Sequence, residues 1–292
     1  MTLTTIREQI IAARKLLTER QIEDAAFNVD CLAAHVLGIT NGQLPQFWNR
    51  PADAAFAVPF QQLLARRCSH EPLQYLLGEW SFLDFDVTVG PGALIPRPET
   101  EEVFMAAAAE IARRPFADKF SFADVGTGTG VLAIAMARKF TGATGFMLDI
   151  SPAAMQIAAA NLQRFPELSA RLELRQNDLL GGFAPDSLDV VISNPPYIES
   201  TEVPVLQAEV SRFEPHLALD GGKDGLELVE RLLQQALSVL RPGGLLVFEH
   251  GHGQRQHLKE MVGPGWLLIA AANDLHGCER YFILERGKKE TA

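Results

Sequence analysis

The amino-acid sequence predicts an α/β protein whose core is one mostly parallel sheet of seven strands. After residue 118, short apolar runs alternate with helix-length amphipathic segments as far as about residue 285. Such alternation is typical of parallel strands joined by helices that cover both faces of a sheet. Strands are expected at 120–125, 144–149, 171–175, 188–193, 244–250, about 266–271 and 280–285. Helices are expected at 130–140, 152–165, 226–240 and 253–262.

The first 75 residues predict a small helical bundle instead. Ile6, Ile10, Ala13 and Leu17 recur with the spacing of one helix face. Similar patterns predict two further helices, which are centred near residues 32 and 60. Such a bundle either packs on the main domain or docks a partner protein, and the sequence leaves both possibilities open.

Residues 76–97 predict a linker built around a β-hairpin. Aromatic and β-branched residues alternate with polar ones over 80–89, which is the pattern of short paired strands. Prolines follow this stretch, and a helix is expected from 99 to 113. The predicted organisation is therefore a helical bundle at 1–75, the hairpin linker at 76–97 and the main domain at 98–292.

The charge of the chain disfavours nucleic acid as a direct partner. The 292 residues include 26 Lys and Arg against 36 Asp and Glu, a formal net charge of −10. Proteins that bind a phosphate backbone on their own usually carry a basic excess or a basic stripe. A protein or small-molecule substrate is therefore favoured.

The cysteines and the hydropathy pattern predict a cytoplasmic protein. Three scattered cysteines form no Cys-x-x-Cys pair, which suits free thiols in a reducing compartment. No apolar run approaches the ~20 residues that span a bilayer, and no secretory signal is evident. His250 and His252 are the only close histidine pair, and they lack further ligands at metal spacing. Neither a membrane partner nor a metal is expected.

A glycine-rich turn follows the first predicted strand of the main domain. This glycine turn comprises Gly126, Thr127, Gly128, Thr129 and Gly130. Glycines there allow a tight turn and let a ligand approach main-chain N–H groups. The motif alone is weakly specific, because dinucleotide-binding folds carry similar turns.

Acidic residues at the ends of the next strands strengthen this interpretation. Asp149 ends the second strand, where a carboxylate can accept hydrogen bonds from both hydroxyls of a ribose. Asp178 and Leu179 follow the third strand, where they can meet an adenine through its exocyclic amine and its ring. The arrangement predicts a nucleoside site, with S-adenosylmethionine favoured as the cofactor. Ordinary turn and cap residues, or a nicotinamide dinucleotide site, are the alternatives.

The fourth strand of the main domain ends in the most specific motif, Asn194-Pro195-Pro196-Tyr197. Two prolines stop the strand and stiffen the backbone, because each fixes φ and lacks an N–H donor. The motif would lie at the carboxyl edge of the sheet, where open α/β sheets bind ligands. A purely structural turn is the alternative interpretation.

The residue types in this segment suit methylation of a planar amide or amino nitrogen. The Asn194 side-chain oxygen and the Pro195 carbonyl can accept the two N–H bonds of an NH2 group. Such acceptors hold the nitrogen in place and stabilise the positive charge that develops on it. Tyr197 is expected to stack on the planar group, and positioning supplies much of the catalysis.

Longer stretches resemble one known family. They are residues 71–79 (EPLQYLLGE), 94–101 (LIPRPETE), 149–152 (DISP), 193–197 (SNPPY) and 212–219 (RFEPHLAL). Together they resemble the bacterial release-factor glutamine N5-methyltransferases, the PrmC/HemK family. The similarity runs through nearly the whole chain and is weakest in the first 65 residues.

This resemblance implies a class I, Rossmann-like methyltransferase fold and S-adenosylmethionine as cofactor. It implies methylation of the glutamine in the Gly-Gly-Gln motif of class-1 peptide chain release factors, with the small helical domain helping to dock that partner. Asn194 would contact both cofactor and substrate, and the 194–197 segment would hold the glutamine. Leu179 departs from the family pattern, which often has an aromatic residue beside the adenine.

Other functions remain open at this point. A ribosomal-protein glutamine methyltransferase and an adenine or cytosine N-methyltransferase use the same kind of NH2 acceptor. A dinucleotide-dependent oxidoreductase and a non-catalytic binding protein belong to different classes. The acidic charge disfavours the nucleic-acid enzyme, and the intact 194–197 segment disfavours the binding protein.

Overall fold

The computed structural model describes residues 4–287. The chain divides into two compact units. The first contains the chain through Glu79 together with Gln207–Phe213, and the second contains Trp80–Leu206 and the chain from Glu214 onward. The segment 207–213, which the sequence assigns to the main domain, is thus part of the helical unit.

The first unit is built from helices. They are α1 (Ile6–Glu19), α2 (Ala25–Leu37), α3 (Ala54–Cys68) and α4 (Leu73–Leu77). The predicted face of α1 is buried, with Ile6, Ile10, Ala13 and Leu17 at most 2% exposed. Thr5 and Glu8 form a capping box at the start of α1, which satisfies two otherwise unpaired N–H groups.

A buried arginine holds the 207–213 segment in this unit. The Arg67 side chain is buried, and its Nε donates to Asn28 Oδ1 at 2.7 Å. Its terminal nitrogens both donate to Glu209 Oε1 at 3.0 Å. His70 Nδ1 lies 3.0 Å from the same oxygen. A buried guanidinium needs such partners, since an unpaired buried charge is strongly unfavourable.

The second unit begins with a β-hairpin and a long helix. The hairpin consists of β1 (Glu79–Phe82) and β2 (Phe85–Thr88), which form a separate two-stranded sheet. The helix α5 (Pro98–Ile111) starts with proline at its first position, where the missing N–H costs nothing.

The remaining strands form one sheet of seven, as predicted. They are β3 (Ser121–Val125), β4 (Thr144–Asp149), β5 (Leu172–Gln176), β6 (Leu188–Ser193), β7 (Leu240–Glu249), β8 (Trp266–Asn273) and β9 (Glu279–Arg286). The order across the sheet is β5-β4-β3-β6-β7-β9-β8. Pairs from β5 to β7 are parallel, and β9 runs antiparallel to both neighbours. The predicted mostly parallel α/β sheet is confirmed.

Helices cover this sheet. They are α6 (Val131–Lys139), α7 (Pro152–Gln163), α9 (Glu227–Val239) and α10 (Arg255–Met261), while α8 (Ala208–Phe213) belongs to the first unit. Every residue of β6 is buried, as expected for a strand covered on both faces. Among residues 4–287, no helix combines the length and the apolar character needed to cross a membrane.

The register of the central strands brings the predicted motifs to one edge. Val125 of β3 is paired with Leu148 of β4 on one side and with Ser193 of β6 on the other. The glycine turn, Asp149 and Asn194, which follow these three paired residues, therefore all lie at the same edge of the sheet. The chain leaves β3 toward β4 on one side and returns to β6 on the other, and ligands bind at such a switch in strand order.

Candidate active site

A cavity of about 280 Å³ lies at this edge of the sheet, and every residue that lines it belongs to the second unit. The predicted residues that line it are Gly126, Thr127, Gly128, Thr129, Asp149, Asp178, Leu179, Asn194 and Pro196. Among the described residues, the lining does not include Gly130, Pro195 or Tyr197. One cavity therefore joins the proposed nucleoside-binding elements to the start of the 194–197 segment.

Positive φ angles shape the glycine turn. Gly126, Gly128 and Gly130 have φ angles of +70°, +55° and +86°, a region that costs other L-residues roughly 1–2 kcal/mol. A Cβ on Gly128 would have its nearest neighbours 3.9 and 4.0 Å away. Glycine at this position therefore keeps the cavity wall open.

Asp149 links the end of β4 to the glycine turn. Its Oδ2 accepts from the Gly128 N–H at 2.9 Å, and its Oδ1 accepts from the Ser151 N–H at 2.9 Å. Burial raises the pKa of this carboxyl, although the backbone donors oppose that shift. The same carboxylate lines the cavity, where its remaining lone pairs can accept hydrogen bonds from ligand hydroxyls.

Asp124 lies fully buried at the base of the turn. Its Oδ2 accepts from the Thr127 hydroxyl at 2.6 Å and from the Ala133 N–H at 3.0 Å. Its Oδ1 has no hydrogen-bond partner among residues 4–287. Burial raises the pKa of this carboxyl to about 7. Such an unsatisfied buried acceptor is unusual in a folded protein.

Asp178 and Leu179 follow β5 and also line the cavity. Asp178 is exposed and accepts from Arg231 at 2.7 Å, so part of its hydrogen-bonding capacity is already used. Leu179 adopts a φ of +49° and is held by the Asn177 side-chain amide, which donates to its carbonyl at 2.9 Å. This turn presents an aliphatic side chain and a carboxylate to a ligand.

The 194–197 segment starts from a fixed point on the sheet. The Ser193 hydroxyl donates to the Val125 carbonyl at 2.7 Å, which ties the end of β6 to the end of β3. The Tyr197 carbonyl accepts from the Gln254 side-chain amide at 2.8 Å. These contacts, together with the two prolines, restrict the backbone on both sides of the motif.

Buried side chains of two other elements contact the segment. The Asn194 Nδ2 donates to Thr100 Oγ1 of α5 at 3.0 Å, and the Thr100 hydroxyl donates to Glu249 Oε2 of β7 at 2.8 Å. The Tyr197 hydroxyl donates to Glu249 Oε1 at 3.2 Å. Burial raises the pKa of the Glu249 carboxyl to about 7, against the effects of the Thr100 hydrogen bond and the Arg280 charge.

Tyr197 thus points its hydroxyl into this buried network. A Cβ at Gly251 would lie only 3.2 Å from the Tyr197 ring, so the ring packs beside that glycine. Burial and the Glu249 carboxylate raise the pKa of the phenol, which therefore stays protonated and remains a donor. Stacking of this ring on a substrate remains a prediction.

An ion pair connects two further parts of the cavity wall. Glu214 is buried, and its carboxylate accepts from the Ile95 N–H at 3.0 Å and from the Arg97 guanidinium. Ile95, Arg97 and the neighbouring Pro215 all line the cavity. The ion pair therefore holds residues 95–97, which come just before α5, against residues 214–215.

Sequence reasoning gave no individual role to Thr100, Glu249 or Glu214. Thr100 and Glu214 lie inside stretches quoted for the family resemblance, but no local pattern indicates their partners. Glu249 ends a buried strand, where a carboxylate is rare enough to signal a specific role. Its role depends on β7 lying next to β6, which the sequence does not show.

The residues present fit S-adenosylmethionine. Asp149 offers a carboxylate to ribose hydroxyls, the glycine turn leaves open space, and Leu179 offers an apolar contact to a flat base.

The fold and the cavity place the chain in the class I methyltransferases. A solved structure described as a methyltransferase from Pyrococcus furiosus matches 71% of this chain and 92% of that one, with a TM-score of 0.53 and 19% identity. The model of the "Methyltransferase small domain" matches residues 108–222, and that of the "PrmC N-terminal domain" matches residues 8–78.

Relatives narrow the class to one family. A release factor glutamine methyltransferase of Koribacter versatilis is 34% identical over 99% of this chain and 100% of its own length. Another, of Moorella thermoacetica, is 37% identical over 88% of this chain and 89% of its own length. The chain belongs to the release factor glutamine methyltransferase family.

Proposed function

We propose that this protein transfers a methyl group from S-adenosylmethionine to the side-chain amide nitrogen of the Gly-Gly-Gln glutamine in class-1 peptide chain release factors. One observation carries the proposal: residues 126–129 of the glycine turn, Asp149 and Asn194 line the same cavity. The names of the relatives support release factors as the substrate.

The residues of the cavity divide the binding task. Asp149 would accept hydrogen bonds from the ribose hydroxyls, and the 126–130 backbone would face the methionyl part of the cofactor. Asp178 and Leu179 would contact the adenine. S-adenosylmethionine, when bound, supplies an electrophilic methyl group on a sulfonium.

The 194–197 segment would hold the acceptor nitrogen. The Asn194 Oδ1 and the Pro195 carbonyl are acceptors without protons, so they match the two N–H bonds of a primary amide. Accepting both bonds draws electron density toward the nitrogen and stabilises its developing positive charge. The nitrogen needs no strong base before it attacks, because its proton can leave after the new N–C bond has formed.

Positioning would supply much of the rate enhancement. An amide nitrogen is a poor nucleophile, so its lone pair must be held along the direction of attack. Fixing reacting groups in this way contributes up to about 7–11 kcal/mol in favourable cases. The Ser193 and Gln254 contacts that restrict the segment serve this purpose.

The helical unit would help to dock the release factor. This proposal is supported by the match of residues 8–78 to the PrmC N-terminal domain. Exposed apolar side chains on the unit, Ile11, Phe27 and Val58, are available for such a contact.

The experiment is methylation of a purified class-1 release factor with labelled cofactor. Mass spectrometry of the tip peptide should show one added methyl group on the glutamine, and a Gln→Ala tip should take up none. A nucleic-acid substrate is the control for the competing N-methyltransferase function. Methylation of that nucleic acid, or of the Gln→Ala release factor, would contradict the proposal.

A further inference from the structure

We propose that Thr100 and Glu249 are positioning residues that fix the orientation of the Asn194 side-chain amide and so make the site select an amide over a carboxylate. The inference rests on the proposed role of Asn194 in holding the substrate nitrogen. Neither residue needs to touch the substrate for this effect.

The geometry forms a chain of three side chains. Thr100 Oγ1 lies 3.0 Å from Asn194 Nδ2 and 2.8 Å from Glu249 Oε2. Thr100 is 4% exposed and Glu249 is 1% exposed, so the contact between them is shielded from water, whereas Asn194 is half-buried and lines the cavity. The parallel register pairs Ser193, the last residue of β6, with Phe248, which places Asn194 just after β6 beside Glu249 of β7.

The number of protons decides the direction of each hydrogen bond. Above the Glu249 pKa of about 7 the carboxylate is ionised and only accepts, so the single hydroxyl proton of Thr100 points toward Glu249. Thr100 can then only accept from Asn194, and the atom that it faces must be the NH2 group. A buried donor or acceptor left unpaired costs about 1–3 kcal/mol, which penalises the reversed amide.

The opposite end of the amide determines what the site recognises. With the NH2 group held at Thr100, the Asn194 oxygen is the end left for a ligand in the cavity. An oxygen accepts hydrogen bonds from a glutamine amide, whereas it repels the carboxylate of a glutamate. A reversed amide would present a donor and would suit the carboxylate instead.

Tyr197 supports the same arrangement from the other side. Its hydroxyl donates to Glu249 Oε1, so both carboxylate oxygens have a donor and the carboxylate has a fixed orientation. Because both Glu249 oxygens accept a hydrogen bond, the carboxylate fixes the hydroxyl directions of Thr100 and Tyr197 together.

Three variants test the proposal. Thr100→Val keeps the shape but removes the hydroxyl, and Thr100→Ser is the matched control that keeps it. Glu249→Gln keeps the size but adds a donor, which frees the Thr100 proton to point at Asn194. We measure kcat with release factor, the Kd of S-adenosylhomocysteine, and the Kd of a release factor whose tip glutamine is glutamate.

The expected results distinguish a misoriented Asn194 amide from a general loss of folding. Thr100→Val and Glu249→Gln should lower kcat about 10- to 100-fold, as small misplacements do. Their Kd for S-adenosylhomocysteine should rise only modestly, and this retained binding also shows that the variants are folded. Glu249→Gln should bind the glutamate-tip release factor more tightly than the wild type does, and Thr100→Ser should retain the wild-type kcat.

Contrary results are distinguishable. Equal kcat for Thr100→Val and Thr100→Ser, or unchanged binding of the glutamate-tip protein by Glu249→Gln, would overturn this inference while leaving the proposed function intact. If Thr100→Val fails to fold, the near-isosteric Glu249→Gln decides. A wild-type enzyme that does not methylate the release factor would instead refute the proposed function.

Discussion

Replacing Asp149 by alanine tests the proposed cofactor site most sharply. The Asp149 carboxylate accepts hydrogen bonds from the Gly128 and Ser151 N–H groups at 2.9 Å each, and it lines the cavity. Hydrogen bonds to a charged acceptor contribute about 1.5–3 kcal/mol each. Because each oxygen already serves a backbone donor, we apply the lower value to two ribose hydroxyls. The sum is about 3 kcal/mol, which corresponds to about a 100-fold rise in Kd.

The assay is calorimetric titration with S-adenosylhomocysteine, together with thermal unfolding. The Asp149→Ala variant also leaves two N–H groups without an acceptor, so the free energy of unfolding should fall by about 1–3 kcal/mol. Asp178→Ala is the control for the unfolding measurement alone, because the ion pair of its exposed carboxylate contributes at most about 1 kcal/mol to stability. An Asp149→Ala protein that binds as tightly as the wild type would refute the assignment.

Further predictions concern pH and the glycine turn. The rate should fall as pH falls through about 7, because protonated Glu249 can donate to Thr100 and release the hydroxyl proton; an identical pH profile for Glu249→Gln would contradict this. The charged or titratable groups that face this carboxyl are Tyr197, Arg280 and Glu99. Gly130→Ala should lose about 1–3 kcal/mol of stability, since its Cβ would lie 2.5 Å from Met147 Cε. Gly253→Ala, with φ +83° and no atom within 4 Å of its Cβ, should lose less in the same thermal unfolding assay; equal losses would show that the methionine contact is unimportant.

The elements of the sheet could be predicted because their signals are local. The strand that ends at Val125 is followed at once by glycines, and the strand that ends at Ser193 is followed by two prolines. Apolar runs and turn residues of this kind determine where strands end, whatever the rest of the fold does. Expected strand limits therefore lie within a few residues of those in the structure. The largest difference is β7, which begins at Leu240 instead of at residue 244.

The network behind Asn194 could not be predicted, because it depends on which strands are neighbours. Asn194 and Thr100 are 94 positions apart in the chain, and Thr100 and Glu249 are 149 positions apart. No periodicity connects such distant residues. For the same reason, the membership of Gln207–Phe213 in the helical unit follows from the contact between Arg67 and Glu209 and not from local composition.

The sequence also left the direction of side chains undetermined. Tyr197 was expected to stack on the substrate, and in the structure its hydroxyl reaches the buried Glu249 carboxylate. Tyr197 does not belong to the residues that line the cavity, so stacking of its ring on the substrate stays a prediction. Only the packed neighbours, here Glu249 and Gly251, determine the rotamer.

The most direct test of the account is to compare methyl transfer and cofactor binding in the Asn194→Ala protein. Removing one preorganised polar contact to a developing charge typically lowers kcat about 100- to 1000-fold. We therefore expect methylation of the release-factor glutamine to fall by about that factor, while the Kd of S-adenosylhomocysteine rises only modestly. An Asn194→Ala enzyme that methylates the glutamine at the wild-type rate would contradict the central claim that this side chain holds the reacting nitrogen.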